Sequence, residues 1–440
     1  MRSQSQPVEY DAIVIGAGPA GTSAAAVLAE KGRSVLILER EKFPRYRVGE
    51  SLIPFCYFAI ERLGLIDELN EAAFANPKLS VQFVATDGRL SKPFYFVDHN
   101  DHPSSRTWQV VRSDFDQLLL GNALAKGAEI RQETAARQLI WQGDSVIGLE
   151  VSDASGGTYE VYSPITIDAS GRDTFSQLRN SWRIPDKVLK KIAIWTYYKG
   201  AKRDPGRDAG ATTVAYLPEK GWFWYIPLAD DMVSVGVVAD REYLYRDTKD
   251  PAEIFQRELA IQPWVRERVA PGMQTGSYRV TGDYSYRSRH CATNGLVLAG
   301  DAFSFLDPVF SSGVFLALTS GVHAGEAVEA ALKEGDFSAE RFEAYGEHFC
   351  QGIEAMRRLV YAFYDHSFNF ADFLKAHPDY NRALTDCLIG NVYDEALPGM
   401  FEAMKAFAEL PAPLSHGRPL VPGQTTPRLH RGGEGEVSQA

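Results

Sequence analysis

Cysteine is scarce: Cys56, Cys291, Cys350 and Cys387 are spread over 440 residues with no Cys-x-x-Cys among them. That spacing excludes a paired-cysteine zinc site and a disulfide framework, and no metal centre is expected; small buried thiols in a reducing compartment are. Positive charge is also short, with 46 Lys and Arg against 57 Asp and Glu and a formal net charge of -11. Binding nucleic acid needs a basic face, so nucleic acid is not an expected partner. No uncharged apolar run reaches the roughly 18 residues of a membrane span. The opening residues Met1 to Val8 are polar, unlike a secretory leader, so a soluble cytoplasmic chain is expected. Length is not lacking: 440 residues exceed the about 250–300 at which one core stops growing, which predicts two or three lobes.

What is present is organised around Asp11-Ala12-Ile13-Val14-Ile15-Gly16-Ala17-Gly18-Pro19-Ala20-Gly21, an apolar strand running into a Gly-x-Gly-x-x-Gly turn. Gly16 permits the tight turn, Gly18 lets the backbone approach a pyrophosphate, and Gly21 lets the next helix pack closely on the strand. The phosphates would rest on that helix's N-terminus, where unpaired N–H groups and the dipole favour negative charge. A second apolar strand, Ser34 to Leu38, delivers Glu39 where an acid should meet a ribose hydroxyl. A glycine turn alone is a weak signal, but strand, turn, helix and terminal acid in order predict a dinucleotide cradle.

Beyond it, Arg40 to Pro54 is a loop with more charge than a connection needs, including Arg40, Arg47 and the run Gly49-Glu50-Ser51, which reads as a second backbone approach to a ligand. Lys78 opens a strand around Leu79 to Val84 and by default would be a surface lysine. Arg112 enters a helix over Phe115 to Lys126, with Ser113 as its N-cap, and lies where it could reach a phosphate. Three alternating segments around 138–162 predict a small meander, and Ile165 to Asp168 a buried strand. From Trp182 to Tyr284 the chain is aromatic and strand-like, centred on Gly221-Trp222-Phe223-Trp224-Tyr225-Ile226-Pro227; on a strand Trp222, Trp224 and Ile226 share one face. Asn294 to Ala302 delivers Gly300-Asp301 to a strand's C-terminal edge, where ligands of open α/β sheets bind. Asp307-Pro308-Val309-Phe310-Ser311-Ser312-Gly313-Val314 then leads into an apolar helix, Phe315 to Leu332, whose start offers free N–H groups suited to an anionic ring or a halide.

The set Gly16 to Gly21 with Glu39, Arg112 and Gly300-Asp301 resembles the FAD-binding fold of aromatic hydroxylases, geranylgeranyl reductases and flavin-dependent halogenases. Phe43 to Pro54, the Trp-x-Trp-x-Ile-Pro pattern and Asp307 to Val314 resemble the halogenases more narrowly, in particular the phenol and pyrrole group. The resemblance implies an α/β fold: a Rossmann-like FAD-binding domain from residues 8–175 and 285–335, with part of 56–108 in the substrate lobe. An antiparallel-sheet substrate domain (176–284) is inserted, followed by a helical C-terminal region (336–410) and a disordered tail (411–440).

It further implies that reduced FAD, oxygen and chloride or bromide yield hypohalous acid, which passes along a tunnel to a lysine and halogenates an electron-rich aromatic, free or on a carrier protein. Lys78 takes the lysine role, the backbone N–H groups of Ser312 and Gly313 the halide site, and Trp222 and Trp224 the tunnel wall. Glu50 joins Lys78 and the two tryptophans as a catalytic candidate. Gly16, Gly18, Gly21, Glu39, Arg40, Arg47, Arg112, Asp301 and Gly313 would hold the cofactor. No second Gly-x-Gly-x-x-Gly serves a nicotinamide, so a separate NAD(P)H-dependent flavin reductase is the expected partner. Two departures stand out. Phe310 occupies the place where tryptophan-specific halogenases carry a glutamate, which favours an activated phenol or pyrrole, and Lys78 is followed by Leu79-Ser80 where the family has glycines. The alternative is an FAD-dependent monooxygenase or a geranylgeranyl-reductase-like enzyme, with a non-enzymatic FAD scaffold a distant third. Trp222-Phe223-Trp224 favours the halogenase, since those reductases carry Tyr or Phe at the first position.

Overall fold

The short runs Ala12–Ile15, Val35–Leu38 and Ile165–Asp168 are apolar at nearly every position, the pattern of parallel strands covered on both faces, and all their residues are buried. In the computed structural model, which describes residues 9–282, 285–414 and 417–422, they are the centre of a six-stranded sheet. Leu296–Leu298 and Ala292–Thr293 extend it on one side and Glu129–Arg131 on the other. Alternate residues face opposite ways. Val14, Val35 and Ile37 meet the helices, while Ile13, Ile15, Leu36 and Leu38 meet the meander Ala135–Gln142, Ser145–Ser152 and Thr158–Tyr162.

The second sheet has seven strands, in the order Met273–Gly282, Lys191–Lys199, Met232–Asp240, Trp222–Pro227, Thr212–Tyr216, Ser80–Val84 and Phe94–Tyr95. Its pairs are antiparallel except Ser80–Val84 against Thr212–Tyr216, which run parallel. Phe223 and Tyr225 bury one face against the helices Pro251–Ile261 and Pro263–Val269. Trp222, Trp224 and Ile226 occupy the other face, with Trp195, Val214 and, from the helix Glu343–Tyr364, Phe363 and Tyr364.

Ser113 is not an N-cap. The helix begins earlier and runs Arg112–Ala125, with Val111 at the cap position and no side-chain cap, and the Ser113 hydroxyl turns to Asp114 at 2.9 Å. Arg112 is drawn into the first turn by its ion pair with Asp116 one turn on, at 2.9 Å. Of the tail expected to be disordered, Gly417 and Leu420 donate backbone hydrogen bonds to Arg289 and Ala292, at 2.9 and 2.7 Å. Residues 423–440, like Met1 to Val8, lie outside the described residues.

Two glycines separate a packing role from a conformational one. A Cβ on Gly21 would fall 2.0 Å from the Gly16 carbonyl oxygen, whereas a Cβ on Gly121, within Arg112–Ala125, would meet nothing within 4 Å. Gly21→Ala is therefore expected to cost about 1–3 kcal/mol through overpacking. Gly121→Ala should instead gain about 0.5–1 kcal/mol from helix propensity. Urea titrations of the two variants check the opposite signs.

Candidate active site

Beyond the strand ends at Ile15 and Leu38, a cavity of about 650 Å³ lies against the Trp222, Trp224 and Ile226 face of the second sheet. Gly16, Gly18, Glu39, Arg40, Arg47, Glu50, Ser51, Arg112, Asp301 and Gly313 line it, with Thr212, Val214, Trp222, Trp224 and Ile226 from the seven-stranded sheet. Sequence positions from 15 to 317 thus meet in one space. Among the expected site residues, Gly21, Lys78 and Ser312 do not line it.

The glycine turn fits a dinucleotide on the observed backbone. Gly16 has φ +97°, and a Cβ there would lie 2.5 Å from the Ala169 carbonyl oxygen. The following helix makes its first internal bond from Thr22 N–H to the Gly18 carbonyl, so the N–H groups before Thr22 have no helical acceptor. Glu39 braces the turn: its carboxylate accepts from Ala17 N–H and from Glu41 N–H, each at 3.0 Å. A carboxylate has lone pairs to spare beyond two N–H bonds, which suits a ribose hydroxyl.

The arginines differ in what they do. Arg112 donates from Nε and Nη2 to Asp116 at 2.9 and 3.2 Å, and from Nη1 to the Val48 carbonyl at 2.7 Å. Arg45 joins the same buried carboxylate at 2.7 Å. Arg112 thus ties the 45–50 loop to its helix as well as lining the cavity. Gly49, at φ +111°, is where that guanidinium passes closest to the backbone, since a Cβ would sit 2.8 Å from Arg112 Nη1. Arg40 lies half exposed and pairs with Asp173 at 2.6 Å, and Arg47 pairs with Glu41 at 2.6 Å. Burial pushes Asp301 up to about 7, against the pull of Arg172 and Arg112.

Lys78 is a buried lysine, 1% exposed, not a surface one. It closes the short strand Ala75–Lys78, and its Nζ donates to the Ser51 hydroxyl at 2.8 Å and the Leu52 carbonyl at 2.9 Å. Ser51, which does line the cavity, stands between that space and the amine. Its hydroxyl also bonds Thr212 Oγ1 at 2.8 Å, and Thr212 in turn accepts from Gln109 Nε2 at 2.8 Å. With no carboxylate bonded to it, desolvation brings the Lys78 amine down from 10.5 to about 7.

The Trp-x-Trp strand is held by residues the sequence did not single out. Trp222 Nε1 donates to Tyr364 Oη at 2.8 Å, and Tyr364 donates to the buried Asp307 carboxylate at 3.0 Å. Asp307 also caps the turn Pro308–Phe310 by accepting from Val309 N–H at 3.1 Å. That turn ends at Ser311, left-handed at φ +55°, from which the helix Ser312–Glu334 starts. Ser312 and Gly313 therefore sit in the first turn, where N–H groups lack helical acceptors. A Cβ on Gly313 would meet only the Phe305 ring, at 3.7 Å. Phe310 packs edge-on against Phe363, ring centroids 5.8 Å apart, so an aromatic ring and not an acid stands at this position before the helix. Glu50 is buried in the cavity wall and accepts from Tyr197 Oη at 2.6 Å. No group of His, Cys, Asp and Glu fit to hold a metal occurs among the described residues, and none of their helices is long and apolar enough to cross a membrane.

The sequence matches the family model described as tryptophan halogenase over residues 11–102 and 86–371. It is 32% identical over 388 residues to the 1H-pyrrole-2-carbonyl-[peptidyl-carrier protein] brominase of Pseudoalteromonas luteoviolacea, covering 88% of this chain and 93% of that one. It is 28% identical to the corresponding chlorinase of Pseudomonas fluorescens, covering 93% of this chain and 96% of that one. The solved structure of the flavin-dependent brominase Bmp2 superposes with a TM-score of 0.81 at 29% identity, covering 91% of this chain and 99% of that chain.

The buried amine predicts a pH signature. Above about pH 7 the unfolded chain still holds a proton that native Lys78, lowered to about 7, has released. Stability therefore rises with pH towards the unfolded value, by up to about 1.4 kcal/mol per unit. Lys78→Met should lose that rise, so denaturant titrations at about pH 7 and pH 9 should show the wild type gaining on the variant. Parallel behaviour would mean that the amine is solvated.

Proposed function

The chain belongs to the tryptophan halogenase family and is an FAD- and halide-using, flavin-dependent halogenase; from that premise we propose that its substrate is a pyrrole carried by a peptidyl carrier protein. The observation that carries this reading is the combination of an apolar Phe310 at the helix entrance with relatives that are named for carrier-bound pyrroles. An electron-rich pyrrole does not need a second acidic group to activate it. FAD, reduced by a separate NAD(P)H-dependent reductase, supplies the reductive activation of oxygen when bound.

The chain's own residues take the remaining parts. The Gly16-to-Gly21 turn and Glu39 bind the dinucleotide, and Arg112 keeps the 45–50 loop against it. The Ser312 and Gly313 N–H groups hold the halide at the start of their helix. Trp222 and Trp224 wall the cavity so that the organic substrate stays away from the place where hypohalous acid forms. Lys78, with an amine near neutrality at physiological pH, receives the acid past Ser51. Its nitrogen gains the halogen and water leaves, after which the halogen passes to the ring carbon and the ring proton is lost.

Single-turnover assays with reduced FAD and oxygen test this, offering pyrrolyl-carrier protein, the free pyrrole carboxylate and a phenol, each with bromide, with chloride and without halide. Mass spectrometry should show halide-dependent substitution, at least about tenfold faster on the carrier-bound pyrrole. Equal turnover of the free acid would remove the carrier from the proposal. An oxygenated product that forms without halide would move the reading to a hydroxylase.

A further inference from the structure

Each halogenation takes up a proton. One aromatic C–H, one halide ion, one oxygen molecule, one reduced flavin (FADH2) and one proton give the aryl halide, oxidised flavin and two waters. The proton has to reach the part of the cavity walled by Trp222 and Trp224, and among the described residues a continuous path of hydroxyls runs to a carboxyl there. Glu50, 4% exposed, lines the cavity and accepts from Tyr197 Oη at 2.6 Å. Tyr197 Oη lies 2.8 Å from Tyr46 Oη, and Tyr46, 37% exposed, reaches the surface. Trp195 Nε1 donates to Tyr46 Oη at 2.7 Å.

The innermost contact sets the direction. The one hydrogen of Tyr197 is on Glu50, so towards Tyr46 it can only accept, and Tyr46, which accepts from the Trp195 indole N–H, gives its own hydrogen to Tyr197. Every donor in the path points inward, the polarity needed to pass a proton from solvent to the cavity carboxylate. We propose that Tyr46 and Tyr197 are a proton relay that recharges Glu50 from solvent during halide oxidation. The proposal rests on the halogenase reading for the use of the proton, though not for the path itself. In each passage Tyr46 takes a solvent proton on its free lone pair and gives its own to Tyr197, which gives its own to Glu50; the phenols then turn back, with no net change in either.

The surroundings suit the task. Glu50 faces the Tyr197 and Ser234 hydroxyls and, at longer range, the Arg112 guanidinium, while burial raises its affinity for a proton. Ser234 also accepts from Trp224 Nε1 at 3.0 Å, so the carboxyl is linked to the indole wall. Tyr46 carries the Arg279 guanidinium over its ring at 3.6 Å, and its carbonyl accepts from Arg47 at 2.8 Å, so the outer phenol is fixed in place. A purely structural contact would not need an ionisable group at the buried end and an exposed phenol at the other.

The test uses Tyr197→Phe and Tyr46→Phe, which remove one hydroxyl each and preserve ring packing, with Glu50→Gln to assign the Glu50 carboxyl band in the infrared. After a rapid pH drop on the FAD-free protein, that band should appear at least tenfold more slowly in both variants than in the wild type. In the loaded protein, halogenation should slow by a similar factor, with a larger solvent isotope effect, and added imidazole buffer should restore it, which it would not do for a packing defect. Carboxyl protonation as fast as in the wild type in both variants would overturn the relay. Slowed protonation in a protein that makes no halogenated product would keep the relay and overturn the halogenase reading. Should Tyr197→Phe not fold, Tyr46→Phe, at the exposed end, decides the question alone.

Discussion

The site depends on how closely the helices Pro19–Ala29 and Ser312–Glu334 approach. A Cβ on Gly321 would fall 2.3 Å from the Ala20 carbonyl oxygen, and one on Gly325 would fall 2.9 Å from the Ala24 carbonyl oxygen. Gly300 is wedged beside them, its N–H donating to Ser320 Oγ at 2.8 Å. Side chains of ordinary size would push the axes apart towards the usual 8–10 Å or more. Because Gly321 and Gly325 let the backbones come this close, the starts of both helices open on one cavity: one suited to a pyrophosphate, the other to a smaller anion. The seven-stranded sheet then closes that space with Trp222 and Trp224.

A buried carboxylate on each side converts this backbone arrangement into a fixed set of side chains. Asp116 is fully buried between Arg45 and Arg112 and, through them, holds the loop that ends in Glu50 and Ser51. Leaving the Arg112 guanidinium without it would cost about 3–5 kcal/mol, the usual penalty for an unpaired buried charge, whereas Arg45 keeps Glu39 at 3.5 Å. Asp307 does the corresponding work for the other wall, joining the helix entrance at Val309 to Trp222 by way of Tyr364. Lys78 has no such partner. Its amine hydrogen-bonds only to neutral oxygens, and that is why it is held near neutrality.

Local patterns were legible in the sequence because their physics is local. The apolar strand before Gly16, the acid ending the second strand and the alternation that puts Trp222, Trp224 and Ile226 on one face all follow from period and turn chemistry. Partners distant along the chain were not. Tyr197 meets Glu50 across 147 positions and Trp222 meets Tyr364 across 142, with no motif linking either pair. The burial of Lys78 was hidden for the same reason: its strand pairs with Thr107–Val110, and its amine is capped by the loop at Ser51 and Leu52. Ser113 misled because its residue type suits a cap, whereas the Arg112–Asp116 pair starts the helix sooner.

The role of Lys78 is tested most directly by where the oxidised halogen goes after it forms. Wild type and Lys78→Ala, each carrying reduced FAD, should be mixed with oxygen and bromide beside a pyrrole substrate, with a diketone in solution to trap escaping hypobromous acid. The wild type should give brominated pyrrole, and Lys78→Ala a trap signal of the same total with almost no brominated pyrrole. Brominated pyrrole from Lys78→Ala in wild-type yield would contradict that role.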